Sequence, residues 1–317
     1  MDRFVQSLIV IISVIVLNFV LMTLAPGDPA TYMVGTEAGT DPVYLMYLRE
    51  RYGFDQPIHI QLMKYLSNVI RGDLGYSFRS GGSTFSVILS RLPATLLLML
   101  PTFILSVILG ISLGLVSSVL HGSGVDYIMT GISLIGFSIP TFWLGLILML
   151  YFSLQLGLLP AGGIITYGTH LTGWPHIIDV LRHLLLPSVT LSASFIAVYT
   201  RLTRASMLEV LRKDFIITAW GKGLKGWRVY IKHGLRNALL PLVTIMGMNF
   251  GYLFAGACVT ETIFSWPGIG RLMYESALSR DYPVVSGVFL FVTIMVVLSN
   301  FITDLIYSFL DPRIKER

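Results

Sequence analysis

The sequence predicts an all-α membrane protein with six transmembrane helices. Three observations carry that reading. Only 12% of the 317 residues are charged, against about 25% in an ordinary soluble domain. The charges that exist bracket long uncharged stretches, and the basic residues collect on one side of the predicted crossings. So few charges cannot cover a water-soluble surface, whereas about 20 consecutive apolar residues suffice to cross a bilayer.

The first uncharged stretch, Phe4 to Gly27, places a helix over 6–25. Arg3 precedes it, as in a secretory signal, but the stretch is long. It is followed by Ala25, Pro26, Gly27, Asp28 and Pro29 rather than by a small-residue cleavage site, so it is read as a membrane helix. The next connection, 26–91, carries six basic and six acidic residues and therefore has no inward bias. Within it Ile58, Leu62, Leu66 and Val69 recur at helical spacing between Pro57 and Gly72. This predicts an interfacial helix on a large outer loop, either capping the bundle or docking something that arrives from outside.

The second to sixth crossings are expected at 94–119, 129–155, 183–203, 238–259 and 284–307. The uncharged stretch Tyr127 to Ile178 is long enough for two crossings, but its second half is rich in Gly, Pro, Thr and His and is counted as loop. Pro101 and Pro140 are expected inside helices two and three as candidate kinks. Six crossings put both termini on one side. The connection 201–236 holds nine basic residues against Glu209 and Asp214, which makes that side cytoplasmic. Arg3, Arg313, Lys315 and Arg317 fall on the same side. The expected organisation is a first helix with its extracytoplasmic loop (1–93), a transmembrane core (94–309) and a cytoplasmic tail (310–317).

Two glycine pairs, Gly110/Gly114 and Gly247/Gly251, let helix backbones approach closely, within the subunit or against a partner. Cys258, the single cysteine, permits no intrachain disulfide, and packing as a small residue is its expected role. The six histidines, His59, His121, His170, His176, His183 and His233, lack zinc-like spacing, so no metal, catalytic or cofactor site is expected. Asp304, near the end of the last helix, is a lone carboxylate and too little for a proton relay. No phosphate-binding loop of the Gly-x-x-x-x-Gly-Lys-Ser/Thr type occurs. Any ATP-driven function would therefore need nucleotide bound to another polypeptide, and energy would enter through a protein contact.

The segment 201–236 is the candidate for that contact. Phe215, Ile216, Ile217, Ala219, Trp220 and Leu224 interleave with its charges. A short helix there would either present an apolar face to a soluble partner or lie on anionic lipid headgroups. The residues alone leave both open.

The run from Arg201 to Asp214, followed by Thr218-Ala219 and Lys222-Gly223-Leu224, resembles the peptide/nickel permease family of ATP-binding-cassette (ABC) importers. Further matches are Ala25–Pro29, Tyr52–Pro57, Arg71–Phe78, Leu92–Thr95, Arg236–Pro241, Glu261–Gly270, Arg280–Pro283 and Asp311–Arg313. The resemblance covers essentially the whole chain. It implies a type I ABC importer permease core in the cell (inner) membrane. The core would pair with a second, homologous permease and rest on two ATPase subunits that use ATP and Mg, with an extracytoplasmic substrate-binding protein delivering cargo. Nucleic acid has no part in it. The resemblance also implies a cytoplasmic coupling helix between helices four and five, made by Asp214, Phe215, Ile217, Thr218, Ala219, Trp220, Gly221, Lys222, Gly223 and Leu224. Gly223 matches the signature glycine. Ile217 and Trp220 replace the arginines usual around Thr-Ala, and Gly221 stands where alanine is common, so the expected contact is more apolar than usual.

Short peptides lead as the expected cargo, ahead of nickel or nickel chelates and of oligosaccharides. The absence of clustered ligands disfavours a bare metal ion. An ion-coupled secondary transporter would need buried charges or broken half-helices near the midplane, which the sequence does not clearly present. A structural anchor without transport would leave the resemblance unexplained.

Overall fold

The computed structural model describes residues 2–24, 42–53, 55–77 and 79–310. The Ala25–Pro29 motif, the C-terminal basic residues and the side chain of Asp304 lie outside the described residues. The order is α1 (Asp2–Leu24), α2 (Pro42–Tyr52), α3 (Ile58–Ile70), a hairpin of β1 (Tyr76–Ser77) and β2 (Gly82–Ser83), α4 (Thr84–Val119), α5 (Gly124–Ser138) and α6 (Thr141–Leu148). A π-helical segment, Met149–Gln155, extends α6. Then come α7 (Trp174–Val210), α8 (Asp214–Gly221), α9 (Gly226–Arg228) with a second π segment (Val229–Leu235), α10 (Arg236–Ile263), α11 (Ile269–Leu278) and α12 (Tyr282–Leu310).

Five helices are long and apolar enough to cross a membrane, and a sixth span results if the bent pair α5 and α6 counts as one. Two expectations need correction. Several helices start well before the expected crossing: α4 begins at Thr84 rather than 94, and α7 at Trp174 rather than 183. The sequence reading stopped at Arg91, Asp179 and Arg182, yet a helix runs on past its membrane stretch and carries such charges beyond it. Pro175 opens α7 at its first turn, where its missing N–H has no intrahelical partner to lose. The second correction is Pro140. It does not kink a continuous helix but ends one. Ile139 takes extended angles (φ −75°, ψ 125°), as the residue before proline prefers, and the axis turns by 101° before α6 resumes. Pro101 lies inside α4 as expected, and Pro187 and Pro241 also sit inside continuous helices.

The chain forms two compact units. In the first, residues 1–95 and 267–297, Ile88 on α4 packs with Ile269 and Leu272 on α11 and Val284 and Val288 on α12. Asn18 on α1 donates to the carbonyl of Ser286 at 3.3 Å, and the Phe19 and Tyr65 rings meet at 5.8 Å, so α3 sits on α1. Burial pushes the Tyr65 phenol up to about 12. The Ser77 hydroxyl donates to the Asp281 carboxylate at 2.6 Å, tying the hairpin to the start of α12.

The second unit comprises residues 96–266 and 298–317. Its core joins Tyr199 on α7 to Leu242 and Met246 on α10, with Phe103, Val107 and Ile111 of α4 packed against them. The first glycine pair is spent inside the subunit. A Cβ on Gly110 would come within 2.5 Å of the Tyr199 Cβ, and one on Gly114 within 2.5 Å of the Thr203 Cβ and 2.6 Å of the Thr200 carbonyl. Gly247 does the same for α10, where a Cβ would overlap the Thr303 hydroxyl of α12.

Candidate functional site

The segment after α7 is built as a platform. α7 closes at Val210, and the Lys213 ammonium pairs with Glu209 one turn back at 3.0 Å. Lys213 then adopts extended angles (φ −81°, ψ 149°), and α8 begins with Asp214 in its first turn, where a carboxylate is favoured by the helix dipole. One side of α8 is anchored. Ile216 and Ala219 are buried with Val229, and Val210, Leu211 and Leu224 close around them.

The end of α8 is set by hydrogen bonds. The Gly223 N–H reaches the Trp220 carbonyl at 2.9 Å, and the Leu224 N–H reaches the Ala219 carbonyl at 3.4 Å. Gly223 has φ +70°, and Leu224 packs against the cluster that holds Ala219. This is a Schellman cap with its accompanying apolar contact. Gly223 thus stands where a left-handed residue ends the helix. Gly221, inside α8, meets nothing within 4 Å of an added Cβ.

The rest of the helix is bare: Ile217 lies with Asp214, Thr218 and Gly221 on the side away from the anchor, and Phe215 and Trp220 lie on its two flanks, one turn from Ala219 and Ile216 respectively. Phe215, Ile217 and Trp220 are 43%, 63% and 45% exposed, and Asp214, Thr218, Lys222 and Gly223 are exposed beside them. Trp220 is held from one side by an edge-on contact with Tyr230, ring centres 5.8 Å apart. An eight-residue helix that buries two side chains and leaves three large apolar ones exposed is a candidate contact surface.

The platform's footing was not legible in the sequence. Asp126, at the start of α5, is almost fully buried. Arg204 of α7 grips it with two bonds, Nε to Oδ1 at 2.7 Å and one terminal nitrogen to Oδ2 at 2.8 Å. The Ser117 hydroxyl and the Gly122 N–H donate to the same carboxylate, and His121 Nδ1 lies 3.1 Å from it. The pair locks the α4–α5 turn to the last turns of α7, directly before α8. In the sequence Arg204 stands out only as one of nine basic residues and as part of the Arg201–Asp214 run, and no local signal connects it to a residue 78 positions away.

The comparisons with known proteins bear on this arrangement. Residues 106–316 match the description "Binding-protein-dependent transport system inner membrane component", and residues 1–99 match its N-terminal counterpart. The chain belongs to this family of transport components. It is a permease subunit of an ABC importer, an inner-membrane component with several membrane-spanning helices. Such a system implies ATPase partners and a substrate-binding protein. This permease is 42% identical to the oligopeptide transport system permease protein AppB of Bacillus subtilis, over 99% of this chain and 98% of that one. It is 39% identical to the dipeptide transport system permease protein DppB of Escherichia coli K12, over 96% and 95%. Among solved structures, the MetNI methionine ABC transporter in inward-facing form matches at TM-score 0.55 and 16% identity. That match covers 71% of this permease and 96% of that chain and speaks to the fold alone.

Proposed function

We propose that this permease imports di- or oligopeptides and that α8 is the helix through which ATPase subunits drive it. The exposed apolar side chains of Phe215, Ile217 and Trp220 carry the second half of the reading. The helix is rigidly backed by Ile216 and Ala219 and capped at Gly223, as a lever needs to be. A partner cleft that closes on such a helix converts its own movement into rigid-body motion of the attached membrane helices. The Arg204–Asp126 pair would transmit that motion from α7 to α5. Lys222, Thr218 and Asp214 form the polar rim of the contact, and Gly221, Ala219 and Leu224 complete the seat.

The peptide cargo rests on what the two relatives are named for, at 42% and 39% identity over nearly the whole chain. In this reading the chain crosses the membrane six times in the type I arrangement, with α5 and α6 as one broken span and both termini cytoplasmic. Residues 26–91 form the outer loop. The chain then divides at 93/94, with residues 310–317 as the tail. A second, homologous permease completes the path, two ATPases supply ATP and Mg chemistry, and lipid surrounds the spans. This chain itself holds no cofactor. The test of cargo is calorimetry on the cognate binding protein. Binding of short peptides upholds the reading, whereas binding of a nickel chelate or an oligosaccharide without peptide affinity replaces the cargo.

A further inference from the structure

Between α8 and the start of the fifth apolar stretch lies a charged strip that the coupling reading does not use. Between Asp214 and Glu261 the chain has no acidic residue, yet Lys225, Arg228, Lys232 and Arg236 follow one another at intervals of three or four. On α9 and the π segment such spacing returns about once per turn, so the four cations share a face. All four are exposed. None pairs with a carboxylate among the described residues. Trp227 and Ile231 run alongside at the same interval, 59% and 49% exposed, and the Arg228 guanidinium lies over the Trp227 ring, 5.3 Å from its centre.

We propose that this strip is a binding site for anionic phospholipid headgroups of the membrane the chain spans. Its place along the chain argues for lipid over a protein occupant. The uncharged stretch begins at Asn237, immediately after Arg236, so Arg236 sits where hydrocarbon gives way to headgroups. From there back to Lys232 the helical rise is about 6 Å, within a headgroup layer about 5–8 Å deep, and Arg228, one turn further out, reaches back to it along its own side chain. Cations with an adjacent tryptophan and an aliphatic side chain suit a membrane surface, because phosphate takes the charge and an amphipathic indole sits at headgroup level. Trp220, by contrast, is turned toward Tyr230 on the α8 side. The strip therefore pins the α8 platform to the bilayer and makes its footing depend on the anionic lipid content.

The inference rests on the cytoplasmic placement proposed above, but its test has no sidedness, so the two fail separately. The full-length chain in detergent micelles is titrated with phosphatidylglycerol and with phosphatidylcholine of the same acyl chains, and bound lipid is counted by native mass spectrometry. The expected result is a preference for phosphatidylglycerol that falls about 25-fold in Arg228→Gln/Lys232→Gln, about fivefold per cation. Phosphatidylcholine binding stays unchanged, and Arg228→Lys/Lys232→Arg keeps the preference. Equal binding of the two lipids by the wild-type chain overturns the proposal, as does an unaltered preference in the double Gln variant. Displacement of the lipid by millimolar inorganic phosphate would mark a soluble anion site instead. Loss of ATPase co-purification with the lipid preference intact would assign the strip to the ATPase.

Discussion

Arg204 and Asp126 meet as a two-pronged ion pair, with bonds of 2.7 and 2.8 Å, on a carboxylate that is almost fully buried. The carboxylate is further held by Ser117 and Gly122, so its desolvation is compensated only while the guanidinium stays in place. Removing one member of a buried pair costs about 3–5 kcal/mol. Arg204 is 26% exposed, which places Asp126→Asn and Arg204→Gln toward the lower end. Both variants are expected to lower the thermal midpoint of the solubilised subunit. Arg204→Lys should fall between them and wild type, because a point charge cannot bridge both oxygens.

Helix contact at the first glycine pair gives a sharper contrast. Gly114→Ala pushes a Cβ into the Thr200 carbonyl, a backbone atom that cannot rotate away, and overpacking of this kind costs about 1–3 kcal/mol. Gly131→Ala, on α5, meets nothing within 4 Å and should be neutral or stabilising by up to about 1 kcal/mol. Thermal midpoints of the two variants measured side by side check the prediction.

The two glycines of the platform should part in the same way. Gly223→Ala places a side chain at φ +70°, costing about 1–2 kcal/mol, and should loosen the α8 cap. Gly221→Ala fills open space within the helix and should firm it by about 1 kcal/mol. Hydrogen exchange of the amides from 214 to 224 reads both, with faster exchange expected in the first and slower in the second.

How much of this was legible in the sequence depends on the range of the force involved. The crossings were readable because hydrocarbon excludes charge, and uncharged runs such as Asn237–Thr260 mark them directly. Their ends were not, because Arg91 and Asp179 ride on helices that continue beyond the apolar stretch. Pro140 breaks its helix while Pro101, Pro187 and Pro241 do not, although the residue is the same. α2 was missed altogether, since Pro42–Tyr52 has no apolar face to reveal it. The α8 region was visible as apolar residues among charges, but which of them face inward was not. Ile216 and Ala219 are buried while Ile217 and Trp220 are bare, a division set by Val229 and Leu224 further along the chain.

Orientation is tested by a single cysteine in place of Lys225, with Cys258→Ser as background. In intact cells an impermeant thiol reagent added outside should leave it unlabelled, and permeabilisation should expose it. Labelling without permeabilisation would put α8 on the outer side.

The central claim is that the exposed apolar side chains of α8 receive the work of the ATPases. It is tested most directly with Ile217→Asp/Trp220→Asp in the complex reconstituted with its ATPases and binding protein, after confirming that the subunit is still inserted. ATP hydrolysis stimulated by loaded binding protein, together with uptake of the cargo, is predicted to fall at least tenfold. Stimulated hydrolysis and uptake at wild-type levels would contradict the account.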